Sequence, residues 1–150
     1  MREARDAGAR LAIATTTGRA NVDALLSPHF GAAWREAFAA IVCAEDAPLK
    51  KPHPQVYEMA LQRLALRADD ALAIEDSPQG VASARAAGVA VLLTRSAYFA
   101  ACDGVGAIAE CDDLDAVQWS WLCQLHGRGC PPLHGSARRG SCARRAPNRG

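Results

Sequence analysis

The sequence has few of the features that mark exported, membrane-inserted or disulfide-stapled proteins. No apolar run approaches the roughly 20 residues of a membrane-spanning helix, and no apolar segment of signal-peptide length follows the N-terminus MREARDAGAR. The six cysteines are scattered without CxxC pairs, so we expect free thiols. A net charge of +1 gives no reason to expect a nucleic-acid or membrane partner. The default expectation is a cytoplasmic globular protein.

The composition changes near residue 126. The last 25 residues contain six arginines and no acid, which leaves eleven basic against sixteen acidic residues in positions 1–125. With one leucine and many Gly, Pro, Ser and Arg residues, this segment cannot bury enough apolar surface to offset its loss of conformational entropy. We therefore predict a folded domain over 1–125 and a disordered Arg/Gly/Pro-rich tail over 126–150.

We consider two functional interpretations of the tail, and favour over both the alternative that it is an unselected extension. An arginine-rich arm could dock on RNA or phosphate, but no aromatic residue is interleaved for base stacking. Cys130, His134 and Cys142 could form a metal site, but their spacing does not match the usual zinc patterns.

The folded part alternates between apolar strands and amphipathic helices. Strands are predicted at 11–15, 38–43, 71–74 and 89–93, with a weaker one at 107–109, and helices after Gly18, at 54–66, from Ser77 to Gly88 and at 113–122. Ser77 is a suitable N-cap, Pro78 suits a first helical turn, and Gly88 suits a left-handed helix end. Strands that are apolar throughout and separated by helices predict an open α/β fold with a parallel sheet covered on both faces.

Polar residues follow three of the predicted strands. Thr15 and Thr16 follow the first strand, Lys51 lies in the loop beyond the second, and Glu75 and Asp76 follow the third. Ligands of such sheets bind beyond the carboxyl ends of the strands. A hydroxyl, an ammonium and a carboxylate that binds Mg²⁺ are together suited to phosphoryl transfer.

Three segments resemble motifs of the haloacid dehalogenase superfamily. LAIATTT looks like motif II, KKPHPQVY like motif III and AIEDSPQGVASARAAG like motif IV, in the family's order and over about residues 1–122. The nearest subgroup is that of the beta-phosphoglucomutase-like and CbbY-like phosphatases. The resemblance implies a three-layer Rossmann-like core and a Mg²⁺-dependent phosphatase acting on a small phosphorylated metabolite, for which a sugar phosphate is the expected class.

The resemblance also implies a role for individual residues. Thr15 and Thr16 are expected to contact the transferring phosphoryl group, and Lys51 both that group and the nucleophile. Asp76 is expected to bind Mg²⁺ directly, with Glu75 supporting the metal without touching it. Lys50 and His53, in the same loop as Lys51, are expected to face solvent.

The family's first motif, DxDGT, is absent from the sequence. In the family it supplies the aspartate nucleophile at the end of the central strand, and a helical cap follows it. The fold is therefore expected to be incomplete, without its first strand and cap. Asp113 and Asp115 form the one DxD pattern, but it follows the last strand and lacks the Gly-Thr, so we interpret it as a helix start.

Two functions remain open at this stage. The chain is either part of a phosphatase whose nucleophile lies elsewhere, or a non-catalytic remnant that binds Mg²⁺ or phosphate weakly. In both cases we expect no turnover from the 150 residues alone. The substrate's identity and the oligomeric state do not follow from the sequence.

Overall fold

A computed structural model describes residues 1–95, 106–115 and 117–127 of the chain. Short strands alternate with helices along it. The helices are α1 (Arg2–Asp6), α2 (Arg19–Phe30), α3 (Gln55–Leu64), α4 (Pro78–Ala86) and α5 (Trp119–His126). The strands are β1 (Ala12–Ala14), β2 (Ala40–Val42), β3 (Leu72–Glu75), β4 (Ala90–Thr94) and β5 (Ala109–Cys111). Short 3₁₀ turns lie at Trp34–Ala37 and Ala68–Asp70.

The strands form two parallel sheets. β1 pairs with β2, and β3, β4 and β5 pair in that order. Within the described residues, no strand pairs with the second edge of β1 or of β3. The prediction of an incomplete α/β fold with parallel strands is therefore confirmed, and the interruption lies between β1 and β3.

Helices cover both faces of the strands. The main core packs α3 and α4 against the sheets, and its fully buried side chains include Val42, Val56 and Val91. On the opposite face α2 packs on β1 and β2 around Val22, and α5 packs on β4 and β5 around Leu92. This produces three layers, as expected from strands that are apolar on both faces.

The chain around α4 follows its sequence signals. The Ser77 hydroxyl accepts a hydrogen bond from the Gly80 N–H at 3.1 Å, and Pro78 is the first helical residue. Gly88 has a φ of 77°, which lies in the left-handed region that favours glycine. All three predictions for this helix are confirmed, so its start, directly after Asp76, is fixed by local chemistry.

The last helix begins later than predicted. It starts at Trp119 with Gln118 as its N-cap, not at Asp113. The Asp113 carboxylate instead accepts a hydrogen bond from the Asp115 N–H at 2.9 Å, which makes a local turn. Aspartates favour such turns as strongly as helix starts, and this accounts for the error. The helix ends at His126, four residues after its predicted end at 122.

Several predictions fall wholly or partly outside the described residues. The helices of the described segments include none long and apolar enough to cross a membrane. Among the described cysteines, Cys43, Cys111 and Cys123 are buried, and Cys43 is a free thiol. The tail from residue 128 onward lies outside the described residues, so its predicted disorder, its RNA-binding alternative and the Cys130, His134 and Cys142 metal site stay predictions.

Candidate active site

Lys51 joins the carboxyl ends of the two sheets. Its Nζ donates to the Ala14 carbonyl at 3.0 Å and contacts Glu75 Oε1 at 2.5 Å. Ala14 is the last residue of β1 and Glu75 the last of β3, so one ammonium bridges the interruption between the sheets. The side chain is only 15% exposed, which weakens competition from water.

The Glu75 carboxylate has a second partner. The hydroxyl of Tyr57, on α3, donates to the same Oε1 atom, and the Tyr57 ring centre lies 5.2 Å from Lys51 Nζ. Glu75 is buried, and a Cβ at Gly80 would overlap its carboxylate. Burial, and then the charge of Glu75, raise the pKa of Tyr57 above its ordinary value. The phenol therefore stays protonated and remains a donor at neutral pH.

Sequence reasoning assigned no role to Tyr57. The residue lies on the buried face of α3 with Val56, Ala60 and Leu64. A phenol on an otherwise apolar helix face needs a hydrogen-bond partner when buried. That signal, six residues after Lys51, could have identified it as a partner of the site.

Thr15 and Thr16 lie where β1 ends. The Thr15 N–H donates to the Val42 carbonyl at 3.0 Å, which extends the pairing with β2. The Thr15 hydroxyl accepts from the Thr17 N–H at 3.1 Å. The hydroxyl proton has no acceptor among the described residues, so it is available to donate to a ligand. Both threonines are half-buried beside Ala14, the residue that binds Lys51.

The N-terminus of α2 binds a carboxylate of the same chain. The Arg19 N–H donates to both carboxylate oxygens of Glu45, at 2.9 and 3.1 Å. A carboxylate at this position is favoured by the partial positive charge of the helix N-terminus. The Arg19 N–H therefore already has its acceptor within the chain.

Asp46 is the centre of an ion-pair cluster that sequence reasoning missed. Its carboxylate contacts Arg19 Nη2 and Arg63 Nη2 at 2.7 Å each and accepts from the Cys43 N–H at 2.9 Å. The hydrogen bond from Arg63, then that from Cys43, hold the pKa of Asp46 at about 2. The cluster joins α2, α3 and the segment after β2. No spacing in the sequence indicates it, because its members come from three separate segments.

Asp76 is the exposed neighbour of buried Glu75. Its carboxylate makes no hydrogen bond or ion pair to the rest of the described chain. Within residues 1–95, 106–115 and 117–127, no three His, Cys, Asp or Glu side chains lie close enough together to hold a metal ion. A single free carboxylate nevertheless fits Mg²⁺, which keeps several waters and binds through one or two carboxylates and substrate phosphates.

The loop of Lys51 is anchored on α4. The hydroxyl of Ser83, which is fully buried, donates to the His53 carbonyl at 2.8 Å. The side chains of Lys50 and His53 are exposed, as the sequence predicted. The structure thus brings Lys51 to Glu75 and to the strand end before Thr15, and leaves Lys50 and His53 at the surface.

Comparison with known proteins identifies relatives of the chain. A model of the haloacid dehalogenase-like hydrolases matches residues 1–94. The plasmid CbbY protein of Cupriavidus necator is 54% identical over 98 residues, which are 65% of this chain and 39% of that protein. The crystal structure of CbbY from Rhodobacter sphaeroides in complex with phosphate superposes with a TM-score of 0.72 at 37% identity, over 76% of this chain and 52% of that one.

A variant of the same R. sphaeroides protein was crystallised with xylulose-1,5-bisphosphate. It superposes with a TM-score of 0.75 at 35% identity, over 79% of this chain and 53% of that one. The chain therefore spans about half, or less, of the length of these relatives.

Proposed function

Because the chain belongs to the haloacid dehalogenase-like hydrolase family, as its motifs predicted, we propose that it forms part of a Mg²⁺-dependent phosphatase. The proposed substrate is a small phosphorylated metabolite. The observation that carries the proposal is the position of Lys51, whose ammonium links the carboxyl ends of β1 and β3. Ligands of open parallel sheets bind at this edge.

Lys51 and Thr15 would bind the phosphoryl group. The ammonium lies in a partly dehydrated position, where it opposes the negative charge that develops on phosphoryl oxygens. The Thr15 proton is available to one of those oxygens, and Thr16, the next residue of the same turn, would contact a second. The Glu75 carboxylate and the Tyr57 ring hold the ammonium in place.

Asp76 would bind Mg²⁺. The metal would supply charge neutralisation at the phosphate and help orient it. Asp76 has no competing partner in the described part of the chain, whereas Glu75 is engaged with Lys51 and Tyr57. Glu75 would therefore act on the metal site indirectly, by holding Lys51, and not as a ligand of the metal.

The nucleophile would come from polypeptide outside these 150 residues. We propose that it is an aspartate that attacks phosphorus to form an aspartyl-phosphate, which water then hydrolyses. The chain alone is therefore expected to give no turnover. A sugar phosphate is the proposed substrate class, supported by the likeness to a CbbY protein crystallised with xylulose-1,5-bisphosphate. The proposal includes a cytoplasmic location and needs no nucleic acid or membrane.

To test the proposal, the chain is joined to an N-terminal segment that contains the DxDGT motif and a helical cap. We expect the joined protein to hydrolyse p-nitrophenyl phosphate with Mg²⁺, and the 150 residues alone to show no turnover. Asp76→Asn should abolish the Mg²⁺-dependent rate and weaken Mn²⁺ binding, measured by water-proton relaxation. Asp69→Asn is the matched control, since Asp69 is exposed and pairs with Arg67 instead.

Two outcomes would refute the proposal. If the joined protein gives no turnover while it still folds and binds Mn²⁺ through Asp76, the chain is a non-catalytic metal-binding remnant. If Asp76→Asn leaves both turnover and Mn²⁺ binding unchanged, the metal role of Asp76 is wrong.

A further inference from the structure

The loop that carries Lys51 contains both lysines of the chain. Lys50 and Lys51 are the only two lysines in the sequence. They have the same chemistry, yet the Lys50 side chain is exposed, whereas that of Lys51 is 15% exposed and its ammonium contacts the ends of β1 and β3. Because a lysine side chain is long and flexible, it does not by itself account for this difference. The backbone of the loop must therefore determine which ammonium reaches the strand ends.

Backbone hydrogen bonds alone cannot hold this loop. Pro52 and Pro54 have no N–H to donate. Among the described residues, the one backbone–backbone hydrogen bond that joins two members of the segment 49–55 runs from the His53 N–H to the Lys50 carbonyl, at 3.0 Å. Side chains must therefore supply the other hydrogen bonds that fix the loop.

The Gln55 side chain closes the loop. Its Oε1 accepts a hydrogen bond from the Leu49 N–H at 2.8 Å, so the two ends of the segment 49–55 are tied together. The Gln55 N–H donates in turn to His53 Nδ1 at 3.2 Å. Gln55 is the first residue of α3, the helix whose Tyr57 ring lies beside the lysine ammonium. The loop is thus closed on the same helix that contributes to the lysine's site.

We propose that Gln55 is a positioning residue for Lys51: by closing the loop, it holds the backbone so that the Lys51 ammonium, and not that of Lys50, reaches the ends of β1 and β3. The Ser83 hydroxyl fixes the middle of the loop through the His53 carbonyl, and Gln55 fixes its two ends. Because the Gln55 hydrogen bond is exposed, its loss should open the loop with little effect on global stability. The catalytic use of the ammonium rests on the proposed function, but its position does not.

The experiment measures the reactivity of the two lysine amines in the full 150-residue chain. Trace acetylation with acetic anhydride, read by fragment-ion mass spectrometry, gives the Lys51 rate relative to the Lys50 rate in one sample. In the parent, Lys51 should react more slowly, because its ammonium is paired and largely buried. Gln55→Met keeps the length of the side chain and removes the acceptor, so it should raise this ratio by about three- to tenfold, the effect of losing one hydrogen bond. Hydrogen exchange at the Leu49 N–H should also accelerate.

Further variants isolate the hydrogen bond. Gln62→Met is the matched control and should leave the ratio unchanged, because Gln62 is exposed on the same helix and its side chain makes no hydrogen bond within the described part of the chain. Gln55→Glu keeps an oxygen acceptor and should return the ratio to within about twofold of the parent value. If circular dichroism shows that Gln55→Met does not fold, Gln55→Ala replaces it, with Gln62→Ala as its control.

Two labelling results would overturn the proposal. One is an equal ratio of Lys51 to Lys50 reactivity in Gln55→Met and the parent. The other is a ratio that Gln55→Glu raises as much as Gln55→Met does, because the effect would then not depend on the acceptor. Neither result requires turnover, so both are independent of the phosphatase assay.

The joined protein tests the role in catalysis. Gln55→Met should lower kcat for p-nitrophenyl phosphate by about three- to tenfold, in step with the labelling ratio, and should leave Mn²⁺ binding unchanged. An unchanged kcat beside a raised labelling ratio would overturn this role. A joined protein without turnover would instead refute the proposed function, while the labelling ratio would still decide the position of Lys51.

Discussion

Two clusters of charged residues connect the same helix, α3, to different parts of the fold. In one, buried Glu75 receives Lys51 and Tyr57 beneath the carboxyl ends of β1 and β3. In the other, Asp46 receives Arg19 and Arg63, whose side chains are 43% and 37% exposed. Both have one carboxylate and at least two donors, so they differ mainly in access to water.

This difference in access to water distinguishes the Glu75 cluster, a candidate functional site, from the Asp46 cluster, which has a structural role. Water solvates the arginines of the Asp46 cluster whether or not the pairs are formed, so these pairs contribute modestly. Removal of a partner from the Glu75 cluster leaves a charge that water cannot reach. A buried charge cluster that opens onto a strand-end crevice is typical of functional sites, whereas the Asp46 cluster mainly holds α2 and α3 together.

The largest expected effect comes from Lys51→Met. It leaves the Glu75 carboxylate buried without its cation, and we expect the free energy of unfolding to fall by about 3–5 kcal/mol. Lys50→Met, the control at the exposed neighbour, should change it by less than about 0.5 kcal/mol. Urea denaturation of both variants measures the difference. Equal losses would contradict the distinction between the two lysines.

A smaller contrast is expected between two glycines, Gly80 beside the Glu75 carboxylate and Gly18 beside the Glu45 carboxylate. Alanine in a helix interior normally stabilises by roughly 1 kcal/mol relative to glycine. Gly80→Ala should instead destabilise by about 1–3 kcal/mol, because the new Cβ overlaps the Glu75 carboxylate. Gly18→Ala should cost less than about 1 kcal/mol, because its Cβ would lie 3.2 Å from Glu45 Oε1, at the surface.

Thermal unfolding of the two variants under identical conditions tests the prediction. A stabilising Gly80→Ala substitution would show that the Glu75 carboxylate moves aside, and therefore that Lys51 and Tyr57 do not hold it in place.

The smallest effect is expected from Asp46→Asn, about 1 kcal/mol at neutral pH. The pKa of Asp46 is lowered from 3.8 to about 2 in the folded protein. Its stabilising contribution is therefore complete above about pH 4 and lost as the pH falls towards 2. The difference in stability between parent and variant should shrink over this interval and in high salt. A difference that persists at pH 2 would show that the carboxylate's charge is not its source.

The sequence predicted those parts of the molecule that depend on short segments. The strands, the start of α4 at Ser77 and Pro78, and the position of Lys51 beyond β2 all follow from local patterns. The parallel arrangement then brought Lys51 to the ends of β1 and β3 without further information, because strand ends of such sheets share one edge.

The features that the sequence did not predict involve distant partners. Neither the Tyr57–Glu75 hydrogen bond nor the contacts of Asp46 with Arg19 and Arg63 have a local signature, because each joins residues on different elements. The start of α5 was misplaced for the opposite reason, since Asp113 suits both a helix cap and a turn. The metal role of Asp76 and the phosphate role of Thr15 stay predictions.

The hydrogen bond from Ser83 to the His53 carbonyl has a mechanical consequence. It fastens the segment that carries the ammonium to the helix that begins just after Asp76. The Lys51 ammonium in turn contacts the Ala14 carbonyl, directly before the threonine turn, so α4, the lysine loop and the end of β1 are connected as one unit.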